Sequence, residues 1–199
     1  MEFDPTNLKP DVRYLAELEK VIYDKEWFKT AENVELYYMY RGLEEKNDIR
    51  YDITVLPAKM MGEEFAKTKG HYHIGKYQEV YTVLEGQSIY VMQKKKEGAE
   101  SEIEDVYAVA CQKGDVVVIP PDYGHITINP TENQEIKMAN WISIDCKSDY
   151  SSFEKLQGAC YYYLAPGNWV KNPNYKSVPE LRFQEPLKEV PKDLSFLKE

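Results

Sequence analysis

Three histidines occur in the 199 residues, and they fall in two short segments. His71 and His73 stand in Gly70-His71-Tyr72-His73-Ile74-Gly75-Lys76-Tyr77-Gln78-Glu79, and His125 closes Pro120-Pro121-Asp122-Tyr123-Gly124-His125. Residues two apart on a β-strand share a face, so His71 and His73 project side by side. Ile74-Gly75-Lys76-Tyr77 can turn the chain, which places Glu79 on the next antiparallel strand, facing the two imidazoles. His125 arrives from a distant strand, positioned by the rigid Pro120-Pro121 loop. Three imidazoles and one carboxylate, with no thiolate, suit Fe(II), Mn(II), Ni(II) or Zn(II) and leave positions for water or substrate. The histidine pair alone says little. Its combination with Glu79, a glycine-turned strand pair and a Gly114-Asp115…Pro120-Pro121…His125 run is far more specific.

Short strands must hold these residues. Val34 to Tyr40 is aromatic-rich and strand-like. Arg50 to Leu56 alternates, with Tyr51, Ile53 and Val55 on one face and Asp52, Thr54 and Leu56 on the other. Glu44 to Asp48 reads as a polar hairpin connection, and Pro57 with Met60-Met61-Gly62 as a further turn. Glu79 to Leu84 and Ser88 to Gln93 flank a turn at Glu85-Gly86-Gln87. Lys94 to Asp105 is charged and reads as a solvated loop. Val106 to Cys111, the β-branched run Val116 to Ile119, His125 to Asn129 and Glu135 to Ile144 complete the strands. Many short strands with Gly and Pro punctuation and no convincing helix from 34 to 144 predict an all-β jelly roll or small barrel.

Ahead of this core, Val12, Leu15, Leu18 and Ile22 recur at helical spacing, and Asp24 reads as the N-cap of a second short helix. The expectation is an N-terminal arm and helical layer over 1–33, a core over about 34–164 and a Pro-rich tail over 165–199, within a single domain spanning 1–199. Phe153 to Leu156 reads as a helical turn and Tyr161 to Leu164 as a closing strand. The tail is expected to drape over the body or over a partner subunit.

Composition narrows the function. With 34 acidic and 25 basic residues the net charge is −9. Neither nucleic acid nor an anionic membrane is the expected main partner, since each needs a basic footprint. The start of the chain carries no secretory signal pattern, and no apolar run is long enough to span a bilayer. Cys111, Cys146 and Cys160 are three widely spaced cysteines without a CxxC pair, which reads as free thiols in the cytoplasm. The 17 tyrosines fit strand packing, with sugar stacking as the alternative.

The histidine and proline motifs resemble the two motifs of the cupin superfamily, whose fold is a double-stranded β-helix. Within it, Thr54-Val55-Leu56, Gly62-Glu63-Glu64-Phe65, Thr68-Lys69-Gly70-His71-Tyr72-His73, Glu79-Val80-Tyr81 and Pro120 to His125 resemble the cupin-type glucose-6-phosphate isomerases, over about Leu15 to Leu164. The resemblance implies a sugar-phosphate substrate and one divalent metal per chain held by His71, His73, Glu79 and His125, with Fe(II) ahead of Mn(II), Ni(II) and Zn(II). It also implies a phosphate pocket using Thr54, Thr68 and Gly70, with Tyr81 and Tyr150 near the sugar. Two positions depart from the family pattern. Ser148 stands in place of a histidine, and Trp141-Ile142 in place of a tyrosine.

Aldose–ketose isomerisation moves one hydrogen between C2 and C1. Glu79 is the candidate to carry it as a proton, with Tyr81 as a hydroxyl-bearing helper. A hydride shift with Glu79 as ligand only is the rival route. The ligand set by itself also permits an Fe(II) dioxygenase or a sugar-binding module. Strict alternation puts Lys67, Lys69, His71 and His73 on one face and Thr68 on the other, so a bend is expected near Gly70, with Lys67 or Lys69 supplying charge to a phosphate. Pairing through sheet edges or swapped arms predicts a homodimer.

Overall fold

The computed structural model describes residues 5–198. In chain order its first strands are β1 (Asp11–Tyr14), β2 (Glu35–Lys46), β3 (Ile49–Leu56), β4 (Met60–Met61), β5 (Glu64–Phe65) and β6 (Tyr72–Ile74). Next come β7 (Glu79–Glu85), β8 (Gln87–Lys96), β9 (Ala99–Gln112), β10 (Val116–Ile119), β11 (Tyr123–Ile128) and β12 (Ile136–Ser143). Last are β13 (Lys147–Asp149), β14 (Tyr161–Leu164), β15 (Asn168–Lys171) and β16 (Arg182–Gln184). Among the described residues, helix is limited to 3-10 segments at Leu15–Val21 and Ser195–Leu197 and to the short α1 (Lys25–Phe28) and α2 (Ser151–Lys155).

Six strands form one sheet in the order β1-β2-β3-β12-β7-β10, and β11-β8-β9-β16 form a second. Non-sequential neighbours such as β3-β12-β7 give the crossed connectivity of a jelly roll. The inner faces meet in one apolar core containing Leu56, Val83 and Met138 from the first sheet and Tyr90, Met92 and Val106 from the second. Tyr81 and Tyr90 touch across it at a ring separation of 5.2 Å. The segment from Lys67 to His71 runs along β11, with bridges Lys67–Ile128 and His71–His125. This is the all-β cupin barrel that the motifs predict.

Three local expectations change. Val12 does not belong to a helix: β1 pairs antiparallel with β2, Val12 opposite Tyr38. The open edge of β2 takes up the segment; of the expected set Leu15 and Leu18 are buried in a 3-10 turn over Leu15–Val21, and Ile22 follows it in extended conformation. Asp24 does cap α1, accepting the Trp27 amide at 2.8 Å. The polar stretch Glu44 to Asp48 is mostly strand, with Asn47 and Asp48 alone turning at positive φ.

The charged stretch Lys94 to Asp105 is likewise no loop. It is the far end of the β8–β9 hairpin, whose ladder reaches Lys96–Ala99. Cross-strand pairs Lys94–Glu104 at 3.2 Å and Lys96–Glu102 at 3.1 Å suit a solvated ribbon. The Pro-rich tail does lie on the body: β16 runs parallel to β9, Leu187 bridges to Val116, and Leu197 is buried beside Val80 and Val116.

Candidate functional site

The barrel interior explains which faces meet. The register aligns Glu79, Ile142 and Arg50 in one row across β7, β12 and β3, and Tyr81, Asn140 and Asp52 in the next. Val83, Met138 and Thr54 form the row beyond. All three rows turn to the interior. The inner wall is therefore polar near one end and apolar farther in, and the polar end lines a cleft that opens to solvent.

His71, His73, Glu79 and His125 converge at this cleft, each offering one ligand atom, and those atoms lie within 4.8 Å of one another. Glu79 Oε2 is 3.3 Å from His73 Nε2 and 3.4 Å from His125 Nε2. The Nδ1 of His73 lies 3.0 Å from the Tyr77 carbonyl. Donation there leaves Nε2 as the free lone pair, as a ligating histidine requires. His73 Nε2, His125 Nε2 and Glu79 Oε2 are buried and have no hydrogen-bond partner among the described residues. Buried polar atoms almost always find a partner. A shared cation would satisfy all three, and three imidazoles with one carboxylate are a fitting donor set.

Electrostatics favour the ligating forms. Burial, reinforced by the neighbouring His125, holds His71 well below the usual imidazole range, and burial also lowers His125. Glu79 sits below the usual carboxylate range: burial opposes this, but the adjacent His125 and His73 outweigh it. His73 goes the other way. Burial resists, yet Cys146 and Glu79 carry it up to about 10, so this imidazole must give up a proton to a binding cation. Burial and the Glu79 carboxylate push Tyr81 well above the phenol range, so it stays protonated.

Thr54, Thr68, Gly70 and Tyr150 line the same cleft, as does Tyr81. The Tyr150 ring lies 5.5 Å from that of His71. The bend expected at Gly70 is present: its φ is +82°, and a Cβ there would collide with Ile126 and Phe153. The bend lets Thr68 and His71 both reach the cleft although they sit on opposite faces by strict alternation. Thr68 Oγ1 accepts the Thr127 amide at 2.9 Å, which ties this segment to β11. Gly124 is required for a related reason, because a Cβ would press on the Tyr72 and Phe153 rings.

Of the two lysines expected to serve a phosphate, Lys69 lines the cleft and Lys67 does not. Lys67 is 2% exposed and is bound to Glu64 and the Val21 carbonyl inside the core. Ser148 and Ile142 line the cleft, whereas Trp141 points to the other side of its strand and packs on Tyr51 at 4.8 Å.

Several lining residues were not read from the sequence: Arg13, Tyr37, Arg41, Arg50, Asp52 and Asn140. A signal for two of them, Arg50 and Asp52, exists. Arg50, Asp52 and Thr54 share a strand face, and this polar face, not the Tyr51-Ile53-Val55 face, turns inward. Asp52 is 3% exposed and is held by the Gly42 amide at 2.7 Å and by Arg50 Nε at 2.9 Å.

Residues 12–180 match the family described as glucose-6-phosphate isomerase (GPI). A glucose-6-phosphate isomerase of Thermococcus onnurineus is 29% identical over 174 residues, 83% of this chain and 87% of that protein. One from Thermococcus litoralis is 32% identical over 152 residues, 73% and 76% of the two chains. Among solved structures, hazelnut (Corylus avellana) vicilin aligns at 12% identity with a TM-score of 0.45, covering 75% of this chain and 36% of vicilin. With the family match running from β1 to beyond β15, and the histidine and glutamate motifs seated in a cupin barrel, this chain belongs to the cupin-type glucose-6-phosphate isomerase family.

Proposed function

We propose that the protein is a metal-dependent aldose–ketose isomerase that interconverts glucose 6-phosphate and fructose 6-phosphate. The observation that carries this reading is the meeting of four converging ligand atoms with a polar cleft in a chain of this family. His71, His73, Glu79 and His125 would hold one divalent ion, Fe(II) before Mn(II), Ni(II) or Zn(II). When bound, the ion supplies Lewis-acid polarisation of the sugar oxygens at C1 and C2.

The chain's own residues do the rest. Glu79 is ionised at neutral pH and serves as the base that takes the C2 proton and returns it to C1. Tyr81 stays protonated beside that carboxylate and serves as the hydroxyl-bearing helper. Thr54, Thr68 and Gly70 hold the phosphate end, and Tyr150 closes over the sugar. Burial of the ligand set excludes water from the reacting carbons. Ser148 and Ile142, in place of the family's histidine and tyrosine, leave the phosphate side of the cleft roomier and less polar. The reading extends to one cupin domain acting as a homodimer in the cytoplasm, with a core over about 34–164.

The test is a coupled assay for fructose 6-phosphate formation from glucose 6-phosphate after metal stripping and reconstitution with each ion. Absence of turnover with every ion, in protein that is folded and metal-loaded, would sink the isomerase reading in favour of a sugar-binding module. Running the active enzyme in D₂O separates the two routes: deuterium in the product supports proton transfer by Glu79, and its complete absence supports a hydride shift.

A further inference from the structure

We propose that Arg13 is a specificity-determining residue of the cleft, its guanidinium gripping the phosphate of the sugar phosphate. The inference rests on the isomerase reading and names a residue which that reading does not include. Thr54, Thr68 and Gly70 offer only neutral hydroxyl and amide groups, whereas a phosphate dianion is best held by a charge-assisted, forked donor.

Among the described residues four arginine and lysine side chains line the cleft, and their partners decide between them. Arg50 Nε lies 2.9 Å and Arg41 Nη1 3.7 Å from the buried Asp52 carboxylate, and Arg41 also meets Asp11 at 3.2 Å. The charge at that end is cancelled, and Asp52 would repel a dianion. Lys69 is bound to Glu154 at 2.6 Å. Arg13 differs. Its Nη1 donates to Glu17 at 2.7 Å, but its Nε–H is buried without a hydrogen-bond partner among the described residues.

The position of Arg13 is built rather than incidental. Arg13 sits on β1 directly opposite Tyr37 of β2. Its guanidinium carbon is 6.0 Å from the centre of the Tyr37 ring and 5.8 Å from that of Tyr150. Two aromatic rings and Glu17 thus fix the fork on three sides, which reduces the ordering cost of binding. Tyr37 also joins Arg13 to the expected phosphate segment, since its hydroxyl accepts the Lys69 amide at 3.3 Å, between Thr68 and Gly70. A phosphate resting on Thr68 and Gly70 supplies the acceptor that Arg13 Nε lacks. Lys69 Nζ, 5.1 Å from the centre of the same Tyr150 ring, adds positive potential beside it.

Binding to metal-free protein tests this without turnover. Inorganic phosphate and glucose 6-phosphate are titrated calorimetrically into wild type, Arg13→Gln, Arg13→Lys and Glu17→Gln. Arg13→Gln is expected to weaken both ligands at least about tenfold, the scale of one charge-assisted hydrogen bond. Arg13→Lys keeps the charge without the fork and is expected to lose about threefold or more. Glu17→Gln keeps the cation and an oxygen that accepts from Arg13 Nη1 but removes the competing negative charge, so its phosphate affinity equals or exceeds that of wild type. A loss in Glu17→Gln as large as in Arg13→Gln marks a structural role and overturns the proposal. So does phosphate affinity within about twofold of wild type in Arg13→Lys and, where it folds, Arg13→Gln, or a wild type that binds neither ligand. Arg13-dependent phosphate binding in a protein without isomerase turnover would sink the isomerase reading and leave this assignment standing.

Discussion

Glu79 Oε2 stands 3.3 Å from His73 Nε2, and neither atom has a hydrogen-bond partner among the described residues. Two buried polar atoms this close ordinarily bond to each other, and here they do not. A cation between them resolves the conflict and stabilises the folded state by mass action. Protein stripped with a chelator is therefore expected to gain about 2.7 kcal/mol when an accepted ion is present at about a hundred times its dissociation constant. That corresponds to a rise of roughly 5–10 °C in melting temperature for a chain of this size. His125→Ala removes one ligand and should abolish most of the rise. Thermal melts that do not respond to Fe(II), Mn(II), Ni(II) or Zn(II) would refute the site.

Lys67 and Glu64 form an ion pair within the core, with side chains only 2% and 1% exposed. Burial pushes Glu64 up and Lys67 down, and each partner's charge opposes the shift of the other. The pair also accepts the Tyr23 amide at 3.0 Å and donates to the Val21 carbonyl at 2.9 Å, which fixes the N-terminal layer to the barrel. Lys67→Met leaves an uncompensated buried carboxylate and is expected to cost about 3–5 kcal/mol in urea unfolding. The double variant Glu64→Gln/Lys67→Met should be more stable than Lys67→Met alone. A large drop in sugar-phosphate affinity per folded molecule, with little loss of stability, would instead return Lys67 to the ligand site.

The candidate ligand cluster was legible because metal-binding chemistry concentrates rare residue types at short spacing. His71, His73 and His125 are all the histidines in the chain, and Glu79 follows at hairpin distance. The fold was legible for the same stretches, because Val116 to Ile119 and Tyr51 to Val55 carry strong strand patterns. What was lost has one physical source. Alternation shows that Arg50, Asp52 and Thr54 share a face, but not that this face is the interior, since polar side chains inside a barrel reverse the usual inference. Lys67 misled in the opposite direction, as a charge in sequence that tertiary structure buries. Arg13 was hidden by helical spacing that the open edge of β2 overrides.

Glu154 links the 3-10 turn to the site segment through Lys20 at 2.9 Å and Lys69 at 2.6 Å. Hydrogen bonds from Lys69 and Lys20 hold its carboxyl below the ordinary value of 4.5. A depressed carboxyl pKa favours the folded state fully above the unfolded value. The advantage disappears as pH falls through the lower, folded value. Glu154→Gln is therefore expected to lose under about 1 kcal/mol at pH 7, because the group is partly exposed and screened. The gap to wild type should close on acidification below about pH 4. Urea midpoints measured across that range check it, and a gap that widens toward low pH would show the sign to be wrong.

Gly70 and Gly98 separate two costs that usually come together. Both have positive φ, +82° and +71°, but a Cβ at Gly98 would meet nothing within 4 Å, whereas one at Gly70 would collide with Ile126 and Phe153. Gly98→Ala is thus expected to pay only the left-handed backbone penalty of about 1 kcal/mol. Gly70→Ala adds overpacking and should cost about 2–4 kcal/mol. The functional consequence differs more sharply. Gly98 lies at the tip of the β8–β9 hairpin, so its variant should keep wild-type metal affinity and kcat/KM. Relief of the collision at residue 70 requires movement of the segment that carries Thr68 and His71, so Gly70→Ala should weaken both metal and phosphate binding. Equal stability loss in the two variants would show that the close approach of Ile126 and Phe153 yields without cost. Unchanged metal affinity in a folded Gly70→Ala protein would show that the bend does not position His71.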